Sequence, residues 1–297
     1  MGVGSSYQQG GLSYMVWGRE VTYGTYVTGG AGLNFLSASM KAMKPTKILE
    51  EIQTSRTNSG YIQEGKTVEG EIEAIFQPRN LACNYLLHNA FGGGPVTSAT
   101  ATGDTAGAVS FTHTINVADF SATYSSLCLN MRKGATTTGE IFEYTGLKVN
   151  EFGLKAELNE PLIVTLGLIG KDVTTSSNDL ASKLDTTTSV QTPLSFVDGR
   201  LSVETTVAGL TTTSFWSIQG AELTLNNNLN SEAGRRIGSD VIETLPQGMF
   251  QIGLSCTIRF DTTTAFDGMM AGTRYAAELQ FQGPTLSGST LREGIKL

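Results

Sequence analysis

Strict two-residue alternation of apolar and polar side chains limits this sequence more than any other feature. In residues 68–76, Val68, Gly70, Ile72, Ala74 and Phe76 fall on one side, and Glu69, Glu71 and Glu73 on the other. In residues 250–260, Phe250, Ile252, Leu254, Cys256, Ile258 and Phe260 alternate with Gln251, Gly253, Ser255, Thr257 and Arg259. Residues 147–158 set Phe152, Leu154, Ala156 and Leu158 against Gly153, Lys155 and Glu157. A period of two marks a strand with one buried and one wet face. The apolar rows are therefore expected to point inward. A turn at 159–161 and the apolar run 162–170 complete a hairpin. Further strands are expected at 20–27, 47–53, 111–115, 126–131, 140–144, 201–204, 215–220, 221–226 and 274–281, which makes the fold mainly β.

One helix is expected, over residues 78–91. Pro78 suits the first turn, Leu81, Tyr85 and His88 form a stripe, and Gly92–Gly94 provide the stop. Residues 265–271 allow one or two further helical turns. Only 16% of residues are charged, against roughly a quarter in an average domain. Thr, Ser, Gly and Asn fill the gap, as expected for many strands joined by polar connections. Residues 1–46 read as an extended arm, in which Trp17, Tyr23 and Tyr26 are candidate contacts to a neighbour. The most polar stretch, 171–193, reads as a linker between a first unit (47–175) and a second (176–297). The halves share an order of elements: a strand, a polar loop, a long alternating strand, helical turns and a strand.

The formal charge is −7 and the pI about 5.0, the wrong sign for a static grip on DNA phosphates. The N-terminus lacks the basic and apolar regions of a secretory signal, and no apolar run is long enough for a membrane-spanning helix. Cys83, Cys128 and Cys256 are widely spaced among apolar neighbours and read as buried thiols. His88 and His113 lack companions at metal-ligand spacing. Gly92–Gly94 lacks the Lys-Ser/Thr of a phosphate loop, and no G-x-S-x-G elbow occurs. The residues thus suggest no catalytic, cofactor or metal site, and the chain is expected not to be an enzyme.

Several segments resemble one family. GREVTYGTYV (residues 18–27) resembles the opening of tail tube proteins of long-tailed, non-contractile bacteriophages, where a G-x-E-x-x-Y-G-T pattern starts the fold. FEYTGLKVNEFGLKAELNEPLIVTLGLIGKD (142–172) is similar to that family's central hairpin. IQGAELTLNNNLN and LPQGMFQIGLSCTIRFDTTTAFDGMMAGT, within 218–273, are similar to its C-terminal core. The resemblance implies a tail-tube-type β-sandwich with a flanking helix, whose inner sheets join in a ring to form a continuous β-barrel. It implies a structural virion protein of the tail, made and assembled in the host cytoplasm. Its rings stack head to tail into a conduit for DNA, which passes without specific binding or any membrane role. The other implied partners are the tape measure and tail terminator proteins. A duplicated chain implies three copies per ring, with six the alternative.

On that reading Glu69, Glu71, Glu73 and Glu222 are candidate lumen residues; the alternative is a merely solvated strand face. Arg56, Lys66, Arg235 and Arg236 are candidate ring-to-ring contacts; the alternative is an ordinary hairpin. Two other functional readings remain open: the tube of a contractile injection or type VI-like machine, and a carbohydrate-binding or adhesin module.

Overall fold

The computed structural model describes residues 13–49, 60–94, 96–100, 111–119, 125–134, 140–184, 193–210, 215–260, 263–286 and 291–297. In chain order, β1 (Tyr14–Arg19), β2 (Ala31–Leu33), β3 (Ser37–Ala38) and β4 (Lys41–Met43) precede a two-stranded hairpin of β5 (Thr46–Ile48) and β6 (Tyr61–Gln63). Then come β7 (Thr67–Ile75), helix α1 (Leu81–Ala90) and a second hairpin, β8 (Val96–Thr100) with β9 (Phe111–Ile115). The central strands are β10 (Leu127–Lys133), β11 (Glu140–Glu157), β12 (Ile163–Gly170) and β13 (Asp172–Ser176). The last third supplies β14 (Gly199–Glu204), β15 (Phe215–Trp216), β16 (Ile218–Asn226), β17 (Gln251–Ile258), α2 (Thr264–Met270), β18 (Ala276–Thr285) and β19 (Arg292–Lys296).

The main sheet is antiparallel and has two limbs joined by the 18-residue strand β11. Its first half pairs with β10 and β13, and β10 continues to β1 and β2. Its second half lies between β12 and β16; β7 lies beyond β12 and β17 beyond β16. Gly146, with φ +64°, lies at the changeover. A side chain there would strike Tyr23 and Lys171, so glycine is required for both conformation and space. Strands β14, β15, β18 and β19 form a separate four-stranded sheet, yet Leu201, Leu279 and Phe281 join the same core cluster as Trp17, Phe76 and Phe152. The sheet also crosses the polar 171–193 stretch, because β16 pairs onto β11 and β17 onto β16.

Several expectations shift by a few residues. The first strand is 14–19, whereas 20–27 forms turns. Both faces of β1 are buried, so its residues carry no alternation to read. The helix starts at Leu81, because the Asn80 side chain accepts from the amides of Ala82 (2.8 Å) and Cys83 (3.3 Å). Its buried side is Ala82, Cys83, Leu86, Leu87 and Ala90; Leu81, expected in the stripe, is half exposed. The largest departure is β17. Ile252 is 65% exposed and Phe260, just past the strand, 76%: of this apolar row Phe250 and Cys256 pack on the core, while Ile252 and Leu254 lie uncovered by the described residues at the edge of the sheet.

The Gly18–Gly24 segment is held by one buried carboxylate. Glu20 accepts from Gly24 N (2.8 Å), Ser126 Oγ (2.5 Å) and Gly146 N (2.8 Å). Burial raises its pKa, while these donors and Lys171 oppose the rise. Glu20→Gln keeps the shape but sets an NH2 group against one of these donors. We expect a loss of about 1–3 kcal/mol, read as a lower urea midpoint of the unassembled chain; an unchanged midpoint would refute the tie.

Lys148 is also buried, and its Nζ donates to Leu245 O at 2.9 Å. Burial lowers its pKa to about 8. The unfolded chain then binds more protons between pH 8 and the normal lysine value, so this group's contribution to stability grows as pH rises through that window. The stability difference between wild type and Lys148→Met should therefore move in favour of wild type from pH 8 to 10. A difference independent of pH would contradict this.

Candidate functional site: the acidic face of the main sheet

The register of the lower limb turns the strand alternation into a surface. Glu71 of β7 lies beside Gly167, Gly167 beside Glu151, Glu151 beside Asn226, and Asn226 beside Gln251. The next row runs Ser37, Glu73, Thr165, Gly153, Thr224, Gly253. The row after that holds Ile75, Ile163, Lys155, Glu222 and Ser255. Residues of the first two rows line a broad hollow across this face.

All four lumen candidates, Glu69, Glu71, Glu73 and Glu222, are brought onto this one face. Glu151 and Glu157 of β11 join them. Both were legible: they stand on the polar side of the alternation through Phe152 and Leu154. Among the described residues this face carries two exposed lysines; Lys148, in the row of Glu69, is buried and donates to Leu245 O. Lys41 Nζ is 3.1 Å from Glu69, and Lys155 Nζ is 2.9 Å from Glu157. The pKa of Lys155 is raised, first by its bond to Glu157 and then by the charges of Glu157, Glu222 and Glu73. Six carboxylates against two ammonium groups leave the face negative. Its middle is smooth: Gly153 and Gly253 lie so close to Thr165 and Thr224 that a Cβ would meet the hydroxyls at 2.3 and 2.8 Å.

The basic candidates lie at one end of this limb, beside the start of β7. Lys66 Nζ pairs with Asp172 at 2.5 Å. Arg235 donates to Lys66 O (3.2 Å) and Thr67 Oγ1 (2.9 Å). The two polar loops thus meet within the chain. Arg236 is largely exposed, 3.4 Å from Glu243. Arg56 lies outside the described residues. The aromatic candidates all lie against the chain's own residues. Trp17 is fully buried beside Leu129. Tyr23 packs under the ammonium groups of Lys148 and Lys171. Tyr26 is partly buried, and burial pushes its pKa up to about 12.

The limb ends in two edges. At one, β17 pairs, among the described residues, with β16 alone; at the other, β3 and β4 lie against β7. Among the described residues there is no cluster of three or more His, Cys, Asp or Glu able to hold a metal, and no helix long and apolar enough to cross a membrane.

Comparison with curated proteins gives no match. A family model described as phage tail tube protein matches residues 10–294. With that match spanning nearly the whole sequence, and the antiparallel, mainly β fold expected of such a protein, the chain belongs to the phage tail tube protein family: it is a structural component of a bacteriophage tail.

Proposed function

We propose that copies of this chain close into a ring whose wall is the lower limb of the main sheet, and that the acidic face lines a conduit for DNA. The observation that carries this reading is the combination of a concave, acidic, small-residue face with an edge strand whose apolar side is uncovered. A conduit must not retain its cargo, and a negative wall repels phosphates. Strand direction supports closure. From β17 through β16, β11, β12 and β7 to β3 and β4 the directions alternate. The two edges therefore run oppositely, and β17 set beside β3 and β4 of the next copy continues an antiparallel ladder without a break. Such pairing removes both free edges and covers Ile252 and Leu254.

Each chain offers one such face, which favours six copies over three. Three copies of this six-position ladder, eighteen strands at about 4.8 Å spacing and ~40° tilt, enclose roughly 36 Å between opposite backbones. Once side chains line the wall, that leaves little more than the width of a duplex. Thirty-six strands, from six copies, enclose about twice that distance. Rings then stack head to tail, with the tape measure and tail terminator proteins as partners in the virion, assembled in the host cytoplasm.

Electron microscopy with mass photometry tests the assembly: hollow rings of six chains are expected. A ring of three would overturn the stoichiometry, and a chain that stays monomeric on concentration would overturn the ring. A second test reads the wall. Tubes of the triple variant E71K/E73K/E222K should retain duplex DNA in a salt-dependent way, whereas wild-type tubes should not. Equal retention by both would place the acidic face outside the lumen.

A further inference from the structure

The two edges of the lower limb could join in several registers, and backbone direction narrows them. Ser39 N donates to Glu71 O on one edge, and Arg259 N donates to Ser217 O on the other. Successive residues of a strand turn their N–H and C=O groups to opposite sides. The odd-numbered residues of both edges, which share the acidic face, therefore bond inward to their own chain. Ala38 and Ala42 on one edge, and Ile252, Leu254 and Ile258 on the other, turn theirs outward. These are core-side residues: Ala38 lies opposite Ile72 and Ala42 opposite Val68, both buried. A ladder between copies joins this set to itself, so its register moves only in steps of two.

The direction of the stagger follows from chirality. Seen from the core side with β7 pointing up, the Glu71 carbonyl's direction places β3 and β4 on the left and β17 on the right. A flat continuation would set Gly253 beside Ser37 of the next copy, since both stand in one row. Barrel strands tilt with a fixed hand, which carries the copy on the right upward along its strands. Over six strand positions at about 4.8 Å spacing and ~3.3 Å rise, a tilt of roughly 35–45° displaces the ladder by about six to nine residues. Steps of two leave six or eight.

We infer that neighbouring copies join at a stagger of six, which sets Leu254 beside Ala42, Ile258 beside Ala38 and Phe260 beside Leu36 of the next chain. This rests on the ring reading and adds the register of its seam. Two observations select six over eight. Leu36 and Phe260 are 53% and 76% exposed at the upper ends of their edges; six brings them together, and eight carries Leu36 past Phe260. Six also sets an alanine against Leu254 and another against Ile258, large against small. Eight would set Lys44, whose ammonium pairs with Asp240, beside Leu254.

Disulfide cross-linking reads the register, because it needs Cα atoms within about 7 Å. Strands β4 and β17 lie at opposite edges of one chain, so any link between them joins two copies. Assembled A42C/L254C/C256S, A38C/I258C/C256S, L36C/L254C/C256S and A42C are oxidised mildly and run on non-reducing gels. Rings that never form, even from wild type, would refute the ring reading itself, before the seam is tested. Given rings, the first two variants should carry nearly all chains into a ladder of covalent oligomers. Either suffices if urea midpoints show the other to be unfolded. The unstaggered pair L36C/L254C/C256S should stay monomeric on the gel. So should A42C, whose new thiol meets the native Cys256 only at a stagger of eight. The inference is overturned if A42C links, if the unstaggered pair links, or if folded, ring-forming staggered variants do not.

Discussion

The rest of the structure depends on the hydrogen-bond ladder of β11. One strand serves two limbs only because it turns at Gly146, and that turn is held by a single carboxylate from the N-terminal segment. Glu20 binds the Gly146 amide and also reaches Gly24 and Ser126. The family-like GREVTYG stretch thus has a mechanical meaning. Gly18 lies so near Cys128 and the Gly29 carbonyl that a side chain would clash at 2.8 Å, and Gly24 adopts φ +74°. The glutamate between them fixes where the upper limb ends and the acidic lower limb begins.

The lower limb is built incomplete. On its core side Leu223 and Leu225 are buried in the main core cluster, but the rows they begin continue to Leu254 and Ile252, which stay exposed. Covering such a half-exposed aliphatic side chain contributes roughly 1 kcal/mol, whereas association costs at least about 4 kcal/mol in lost freedom. Side chains alone do not hold a ring together. In the proposed ring the backbone edge of β17 supplies the remainder: its ladder bonds would give direction and register, and the apolar row would add affinity.

Where burial is one-sided, the sequence is legible; where it is two-sided or withheld, it is not. The strand β7 and the second half of β11 alternate cleanly because one face meets the core and the other water. Strand β1 is buried on both faces, so its residues read as nothing in particular. Strand β17 shows the opposite difficulty. Its alternation is the cleanest in the chain, yet its apolar row is open, because alternation records which side faces apolar surroundings and not whether the same chain supplies them. Lys66 and Arg235 illustrate a third gap. Two cations in separate polar loops look free in sequence, and only the tertiary fold sets them against Asp172, Thr67 and each other.

The acidic face and the open edge answer different demands. A barrel assembled from many chains must bind strongly along its circumference and weakly toward its contents. Strand geometry permits both at once, since backbone bonds lie in the plane of the sheet while side chains stand perpendicular to it. On this sheet the in-plane direction ends in β17 on one side and in β3 and β4 on the other. The perpendicular direction ends, on one side, in carboxylates separated by glycine and threonine, with no aromatic platform or cationic grip among the described residues, as the proposed conduit requires. Adhesion and slipperiness are thereby assigned to orthogonal axes of the same ladder.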